Sequence, residues 1–529
     1  MNALTKKQVI VVGVVLFVVA AAIRLALLHT ARFGGDEALF FRIGMDIVEF
    51  KSWPLLGTQI TDGAARLPGP AFLYVMALPL VLARSPEAQY AFVEVLGAVT
   101  VVVFWLALRR SYGERGAAVA AVFMACSPWA TLYADRTWNP NVMPIVVVTG
   151  LWCAFRLRHN PDSRASIALW PMGAVLAQFH MSAPVAWAGL LVLAGMAWLR
   201  FDTPQRRRRH AIGLLLVLVL YLPLIAHELT TGFQNTRLLI AETVGRVGGE
   251  RHPWGFVWVP VYALRFLTLD VTYQELTGYW GGPDEFKNLA ALFTGTAARP
   301  WHLLRFTALL SSLLLMAVVV GGAAVRAVLP FLKSFASATQ PKAAFSSRLV
   351  RARSLDPAGK AVVAAVVVNM LLMGAAAKQV FGHYVTNLVP FVVVGVAATV
   401  VVSSGIWRRI FIALVVVTCL GGIEATLSVS RNIDAKIGLE VHRRVTAAIV
   451  ADGVSNASTG EPVRLDFSGL RSSLYDWQIF VDRAAGAPFT FGRQSRRRHF
   501  VLTPANAPAP RTAVDGGIAV GAARLWKLR

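Results

Sequence analysis

The sequence predicts an all-α polytopic membrane protein of about eleven transmembrane helices, with helices in its external loops and a small C-terminal α+β domain outside the bilayer. Three observations predict it. Of 529 residues, 56 % are hydrophobic and only 15 % are charged, whereas soluble proteins carry about a quarter charged residues. Apolar runs close to the length that crosses roughly 30 Å of hydrocarbon recur along the chain. Short basic clusters punctuate those runs so that two spans fit between each cluster and the next.

The elements follow in order. Lys6 and Lys7 precede an apolar run from Gln8 to Leu28. That run is too long for the core of a signal peptide and lacks a small-residue cleavage site, so it is a retained first span. Basic clusters follow at Arg109, Arg110 and Arg115; at Arg156, Arg158 and Arg164; at Arg200 with Arg206 to Arg209; between Arg326 and Lys360; and at Arg408 and Arg409. Placing all of them in the cytoplasm pairs the runs 88–108 with 116–133, 141–157 with 165–179, 183–199 with 211–229, 302–325 with 361–377, and 384–404 with 409–426. Pro70 to Ala83 is too short and too proline-rich to be a span; counting it would reverse the side of the clusters from Arg109 to Arg209. It is expected to lie on or dip into the outer leaflet.

The resulting layout is a membrane domain over 1–426, with a first external loop at 30–88, a second at 230–301 and a basic cytoplasmic linker at 326–360. A domain at 427–529 follows, richer in Asp, Arg, Ser and Gly. Its stretches Val463 to Phe467, Gln478 to Val481 and His499 to Leu502 alternate as strands do. The N-terminus is expected inside and the C-terminus outside. The Arg, Ala and Val bias points to a bacterial inner membrane, with the external face periplasmic.

The net charge of +24 belongs with cytoplasmic Lys and Arg beside an anionic leaflet, so nucleic acid is not an expected partner; membrane lipids are. The three cysteines, Cys126, Cys153 and Cys419, sit in apolar runs and read as buried hydrophobes rather than a disulfide framework or metal cluster. No metal-ligand spacing, phosphate-binding glycine loop or nucleophile elbow is present. No chain of acidic residues crosses the bilayer, where Glu94 and Glu424 lie near external ends, and this counts against a proton-driven transporter.

Polar residues gather instead at external ends of spans. Gly34-Gly35-Asp36-Glu37 follows the first span, and a partly desolvated carboxylate there suits a general base; the same pair also fits a solvated helix cap. Arg66-Leu67-Pro68-Gly69-Pro70 places a cation where a lipid phosphate could bind, or where an arginine snorkels. Tyr133-Ala134-Asp135-Arg136-Thr137-Trp138-Asn139-Pro140-Asn141 carries more polar groups than a turn needs, although Asp135 and Arg136 could simply pair. His180, in Gln178-Phe179-His180, fits a site or a structural role. In Lys378-Gln379-Val380-Phe381-Gly382-His383-Tyr384, Lys378 and His383 could neutralise a phosphate, or the stretch could anchor the interface. Asp270, Glu275, Asp284 and Glu285 lie among Tyr273, Tyr279 and Trp280, as in sugar sites and aromatic belts alike.

The acidic pair after the first span, the long external loop ending in a proline-rich interfacial helix, and the basic turn from Arg109 to Arg115 resemble the GT-C membrane glycosyltransferases. So do Ser127-Pro128 running into Tyr133-Ala134-Asp135-Arg136, Gln178-Phe179-His180, and His383-Tyr384 ahead of Pro390. The similar branch is that of protein O-mannosyltransferases and aminoarabinose transferases, glycosyltransferase families 39 and 83, over about residues 1 to 405. The resemblance implies a hexosyl or pentosyl transferase that takes its sugar from a polyprenyl phosphate and gives it to a lipid, glycan or protein acceptor outside the membrane. It implies Asp36 as the base that activates the acceptor, with Glu37 beside it and Asp135 as a second acidic site residue. Arg66, Lys378 and His383 would contact the donor phosphate, and Arg136, Asn139, His180 and Tyr384 would complete substrate binding. His383-Tyr384 stands where the family commonly has Arg-Tyr, and the tail is unlike the lectin-type domains of eukaryotic mannosyltransferases. No metal and no other cofactor is expected, because a sugar on a phosphate already has its leaving group. Two other classes remain open: a flippase for lipid-linked sugars, in which Asp36 would be dispensable, and a non-catalytic assembly protein that works through 427–529.

Overall fold

The computed structural model describes residues 4–31, 33–60, 63–126, 136–248, 268–269, 300–337, 363, 366–372, 386–431, 439–454, 464–467, 499–504, 509, 513, 517–520 and 523–528. Helix α1, Lys6–Leu25, starts at a capping box in which Thr5 and Gln8 satisfy each other's backbone N–H groups. Between Val9 and Ile23 it is apolar all round. Ile10, Val11, Val14, Val15, Val18 and Val19 face outward, while Leu16, Ala20, Ala21 and Arg24 are buried. Helix α2, Gly35–Val48, and helix α3, Ala71–Leu82, occupy the first loop. Helix α4, Pro86–Cys126, is two rods that meet at Gly113, where φ is 68°; that is the break expected between the runs 88–108 and 116–133.

The bundle continues with α5, Asn139–His159, α6, Ala165–Phe179, α7, Ala183–Ala194, and α8, Pro204–Thr231. Then come α9, Gln234–Gly248, α10, Pro300–Ser337, α11, Val389–Val402, and α12, Gly405–Arg431. Among the described residues six helices have the length and apolarity to cross a bilayer, α4 counting once, and α3, α6, α7 and α11 are shorter apolar helices. The expected span 183–199 stops early: α7 ends at Ala194, because Gly195 takes φ 77° and a 3-10 turn carries the chain to Leu199. Helix α10 runs on to Ser337, into the stretch read as linker; Arg326 and Lys333 are good helix formers, and basic charge alone does not end a helix. Of the span 361–377, residues 363 and 366–372 are described, as helix.

One continuous core joins α1, α4, α5, α6, α7 and α11 through residues such as Leu16, Phe104, Trp105, Val147, Leu190 and Phe391. Cys126, Cys153 and Cys419 are buried free thiols. Arg305 on α10 forms a bidentate pair with Glu424 on α12, with Nη2 at 2.7 Å from Oε1. Beyond α12 the chain builds α13, Leu439–Val454, and strands β1, Arg464–Phe467, β2, His499–Pro504, β3, Ile518–Val520, and β4, Ala523–Leu528. The sheet order is β1-β2-β4-β3, with β1 parallel to β2 and the other pairs antiparallel. Phe500 and Leu502, with Leu525, and Val501 with Trp526 are all buried, so both faces of β2 are covered. The expected strands at 463–467 and 499–502 are thus β1 and β2, whereas Gln478 to Val481 lies outside the described residues.

Candidate functional site

The site begins where α1 ends. A 3-10 turn, Leu28–Thr30, leads to Gly34, which caps α2 in an extended conformation. A glycine offers no side-chain oxygen, so the cap is closed from the other side: the Gly34 N–H donates to Glu37 Oε2 at 3.1 Å. Glu37 is buried at 4 % exposure by this role. Asp36, one residue earlier, stays exposed. Its Oδ2 accepts the Trp138 indole N–H at 2.8 Å.

Trp138 belongs to the polar turn before α5. The Arg136 guanidinium lies over its ring at 5.0 Å from the centroid. Asn141 closes the turn, donating its side-chain amide to the Arg136 carbonyl at 2.9 Å and its backbone N–H to the Trp138 carbonyl at 3.0 Å. Asn139 reaches outward. Its amide donates to the Phe179 carbonyl at 2.6 Å and is buried, which ties the start of α5 to the end of α6. That carbonyl is one left without a helical partner at the C-terminus of α6.

His180 follows directly. Its Nδ1 accepts the Ser182 N–H at 3.2 Å and lies 2.9 Å from Ser182 Oγ, and burial pushes its pKa down to about 4. The imidazole is therefore neutral at pH 7, with the proton on Nε2. Asn387, fully buried before α11, donates to the Ser182 carbonyl at 2.9 Å, bringing the start of α11 to the same turn.

Gln178 connects this turn to the first loop. Its Oε1 accepts the Ala71 N–H at the start of α3 at 3.1 Å, and its Nε2 donates to the Leu220 carbonyl of α8 at 3.0 Å. Gly69 has φ 144°, and a Cβ there would run into the Gln178 amide, so Arg66-Leu67-Pro68-Gly69-Pro70 needs its glycine for conformation and for space. Phe72 packs edge-on against Phe40 of α2 and Phe179 of α6, with centroids 5.0 and 6.0 Å away. Arg66 lies on a short hairpin in which Gly57 N–H donates to Leu67 O at 3.0 Å and Leu67 N–H to Thr58 O at 2.9 Å. Its side chain is exposed.

Hydrogen bonds and packing thus gather Asp36, Glu37, Arg136, Asn139 and His180 at one end of the bundle, with Arg66 joined through Gly69 and Gln178. Asp135, Lys378, His383 and Tyr384 lie outside the described residues, as do Asp270, Glu275, Asp284, Glu285, Tyr273, Tyr279 and Trp280. Trp138, Gln178 and Asn387 were not singled out as site residues from the sequence. The first two sat inside motifs already noted, but an indole at a span end reads as an interfacial anchor until its partner is known. Among the described residues no group of three or more His, Cys, Asp or Glu could hold a metal ion.

The chain is thus a helical bundle whose first loop carries two short helices and whose polar turns converge beside an exposed carboxylate. The chain superposes on ArnT from Cupriavidus metallidurans bound to undecaprenyl phosphate with TM-score 0.52 and 14 % identity, covering 98 % of this chain and 97 % of that one. Against the apo state of the same protein the TM-score is 0.53 at 13 % identity, covering 97 % of each chain. The likeness is one of fold. No protein-family model and no curated protein matches the sequence.

Proposed function

We propose that this protein is a polyprenyl-phosphate-sugar-dependent glycosyltransferase that passes its sugar, with inversion, to an acceptor hydroxyl at the external face of the membrane. The observation that carries the reading is Asp36: an exposed carboxylate oriented by Trp138 at the end of a GT-C bundle. The same fold in ArnT is seen with undecaprenyl phosphate, which supports a lipid phosphate as the carrier here. In the reaction the Asp36 carboxylate takes the proton of the acceptor hydroxyl. The acceptor oxygen bonds to the anomeric carbon as the bond from that carbon to the phosphate oxygen breaks, and polyprenyl phosphate leaves. A single displacement inverts the anomeric centre.

The other residues take supporting roles. Glu37 fixes the first turn of α2 and so aims Asp36. Arg66, with Lys378 and His383, meets the growing negative charge on the phosphate, and Tyr384 contributes to substrate binding. Asp135, Arg136, Asn139 and the neutral His180 line the substrates, and no metal is required. The site faces the periplasm of a bacterial inner membrane, with the N-terminus in the cytoplasm and a lipid, glycan or protein as acceptor.

The test uses purified protein in nanodiscs, a panel of labelled polyprenyl-phosphate sugars and extracted membrane lipid as acceptor. Wild type should release polyprenyl phosphate and Asp36→Asn should not, while both bind the donor alike. Equal release by the two proteins removes Asp36 as the base. Movement of an intact donor across the bilayer without release would make the protein a flippase.

A further inference from the structure

The hairpin that carries Arg66 is held by helix α9 through groups that match its backbone. Asn235, 4 % exposed, pairs with Arg66 in both directions: the Arg66 N–H donates to Oδ1 at 2.8 Å and Nδ2 donates to the Arg66 carbonyl at 3.1 Å. Glu242 Oε1 accepts the N–H groups of Ala64 at 2.7 Å and Ala65 at 2.9 Å. A Cβ at Gly63 would collide with that carboxylate. Between the two polar anchors, Leu238 and Leu239 pack on Ile60, Ala65 and Leu67. Positions 235, 238, 239 and 242 share one face of a helix.

The base of α9 is itself fixed, since buried Glu228 of α8 accepts the Thr236 N–H at 3.0 Å. An asparagine in the first turn of a helix ordinarily serves local backbone. Here its amide is committed to a residue 169 positions earlier in the chain.

We infer that Asn235 and Glu242 are positioning residues for the donor: α9 latches the 57–67 hairpin so that the exposed Arg66 guanidinium is presented to the polyprenyl phosphate in a fixed pose. The inference rests on the reading of Arg66 as a phosphate ligand. Opening the latch leaves the charge in place and restores its freedom, so the loss falls on donor affinity, through the ordering that binding must then supply. The chemical step, set by Asp36, is not altered.

Full-length protein in nanodiscs tests this, with undecaprenyl phosphate as the binding probe and hydrogen–deuterium exchange across 57–67 as the structural readout. Asn235→Ala and Glu242→Ala should speed exchange in that segment and weaken undecaprenyl phosphate about tenfold, as loss of one or two hydrogen bonds does. Glu242→Gln should bind as wild type does, because its amide oxygen accepts the same N–H groups. Adding Asn235→Ala to Arg66→Ala should weaken binding no further, and kcat should hold in both latch variants. Unchanged exchange, or additive losses, overturns the inference. If Arg66→Ala weakens binding and Asn235→Ala does not, the latch alone falls. If Arg66→Ala binds as wild type does, the phosphate role of Arg66 falls and the inference with it. If the binding effects appear in a protein that releases no polyprenyl phosphate from any donor, the transferase reading fails and the latch stands.

Discussion

Trp138 holds the Asp36 carboxylate by one hydrogen bond of 2.8 Å while carrying the Arg136 guanidinium on its ring. Phenylalanine at 138 keeps an aromatic face and removes the donor. With Asp36 as the proposed base, Trp138→Phe should lower kcat by roughly ten- to a hundredfold through loss of near-attack geometry, with donor KM little changed. Steady-state kinetics separate the two, and an unchanged kcat would show that Asp36 is aimed by other contacts. His180 makes a prediction in pH. Its folded-state value of about 4 lies below the ordinary 6.5, so between those values the unfolded chain binds more protons than the folded one. Stability from His180 is complete above about pH 6.5 and is lost as pH falls toward 4. Thermal unfolding in detergent should show a smaller acid-induced fall in Tm for His180→Gln than for wild type across that window.

Helix α13 follows the bundle in sequence yet packs at its start. The Leu439 N–H donates to the Ala31 carbonyl at 3.0 Å, and the His442 ring meets Phe33 edge-on at 5.7 Å. Leu439 is buried with Ala31, Phe33, Ala38 and Phe41, on either side of Asp36, and with Leu80 of α3 and Tyr90 of α4. Arg443 pairs with Glu87 at 3.0 Å in a more exposed setting. The two contacts should differ in worth. Leu439→Asp buries a charge in an apolar cluster, so it should cost about 2–5 kcal/mol and depress kcat as α2 loosens. Arg443→Ala removes a surface pair worth at most about 1 kcal/mol and should leave turnover near wild type. Tm and kcat measured on both variants decide whether α13 supports the site. The sequence pointed to a domain after 426 and to two of its strands through alternation. Nothing in its pattern shows that α13 returns to residue 31, because a helix that docks across the molecule has the same period as one that does not.

Within the bundle, Arg24 of α1 and Glu94 of α4 are each 1 % exposed and attract one another. Arg24 Nη1 also donates to the carbonyls of Ala20 at 3.2 Å and Ala125 at 3.1 Å, and Gly97 leaves room for the guanidinium, whose Nε would sit 2.8 Å from a Cβ there. Arg24 thus ties α1 to α4 through the Ala125 carbonyl, with the Glu94 charge nearby. Glu94→Leu should strand the arginine and cost about 3–5 kcal/mol, while the pair Arg24→Met with Glu94→Leu should recover most of that loss. A double-mutant cycle of unfolding in detergent measures the coupling, and independent, additive effects would show that the two charges do not act as a pair. From sequence, Glu94 was noted near an external end and Arg24 was absorbed into the first span, since neither residue carries a sign of its partner.

The sequence by itself determined that this chain is a helical membrane bundle, the order of most of its elements, and the turns at which polar residues collect. The reason is that hydrocarbon is a demanding solvent: it requires long apolar runs, pushes ionisable groups to span ends and so writes the architecture into composition and spacing. Tertiary structure decided which of two adjacent carboxylates stays open. It turned Glu37 inward to cap α2 and left Asp36 exposed to Trp138. It also decided that Asn139 holds Phe179, that Gln178 holds Ala71 and that Asn235 holds Arg66. Those contacts join residues far apart in the chain through one or two hydrogen bonds each. A hydrogen bond has direction and reach but no sequence period, so only the packed molecule reveals it.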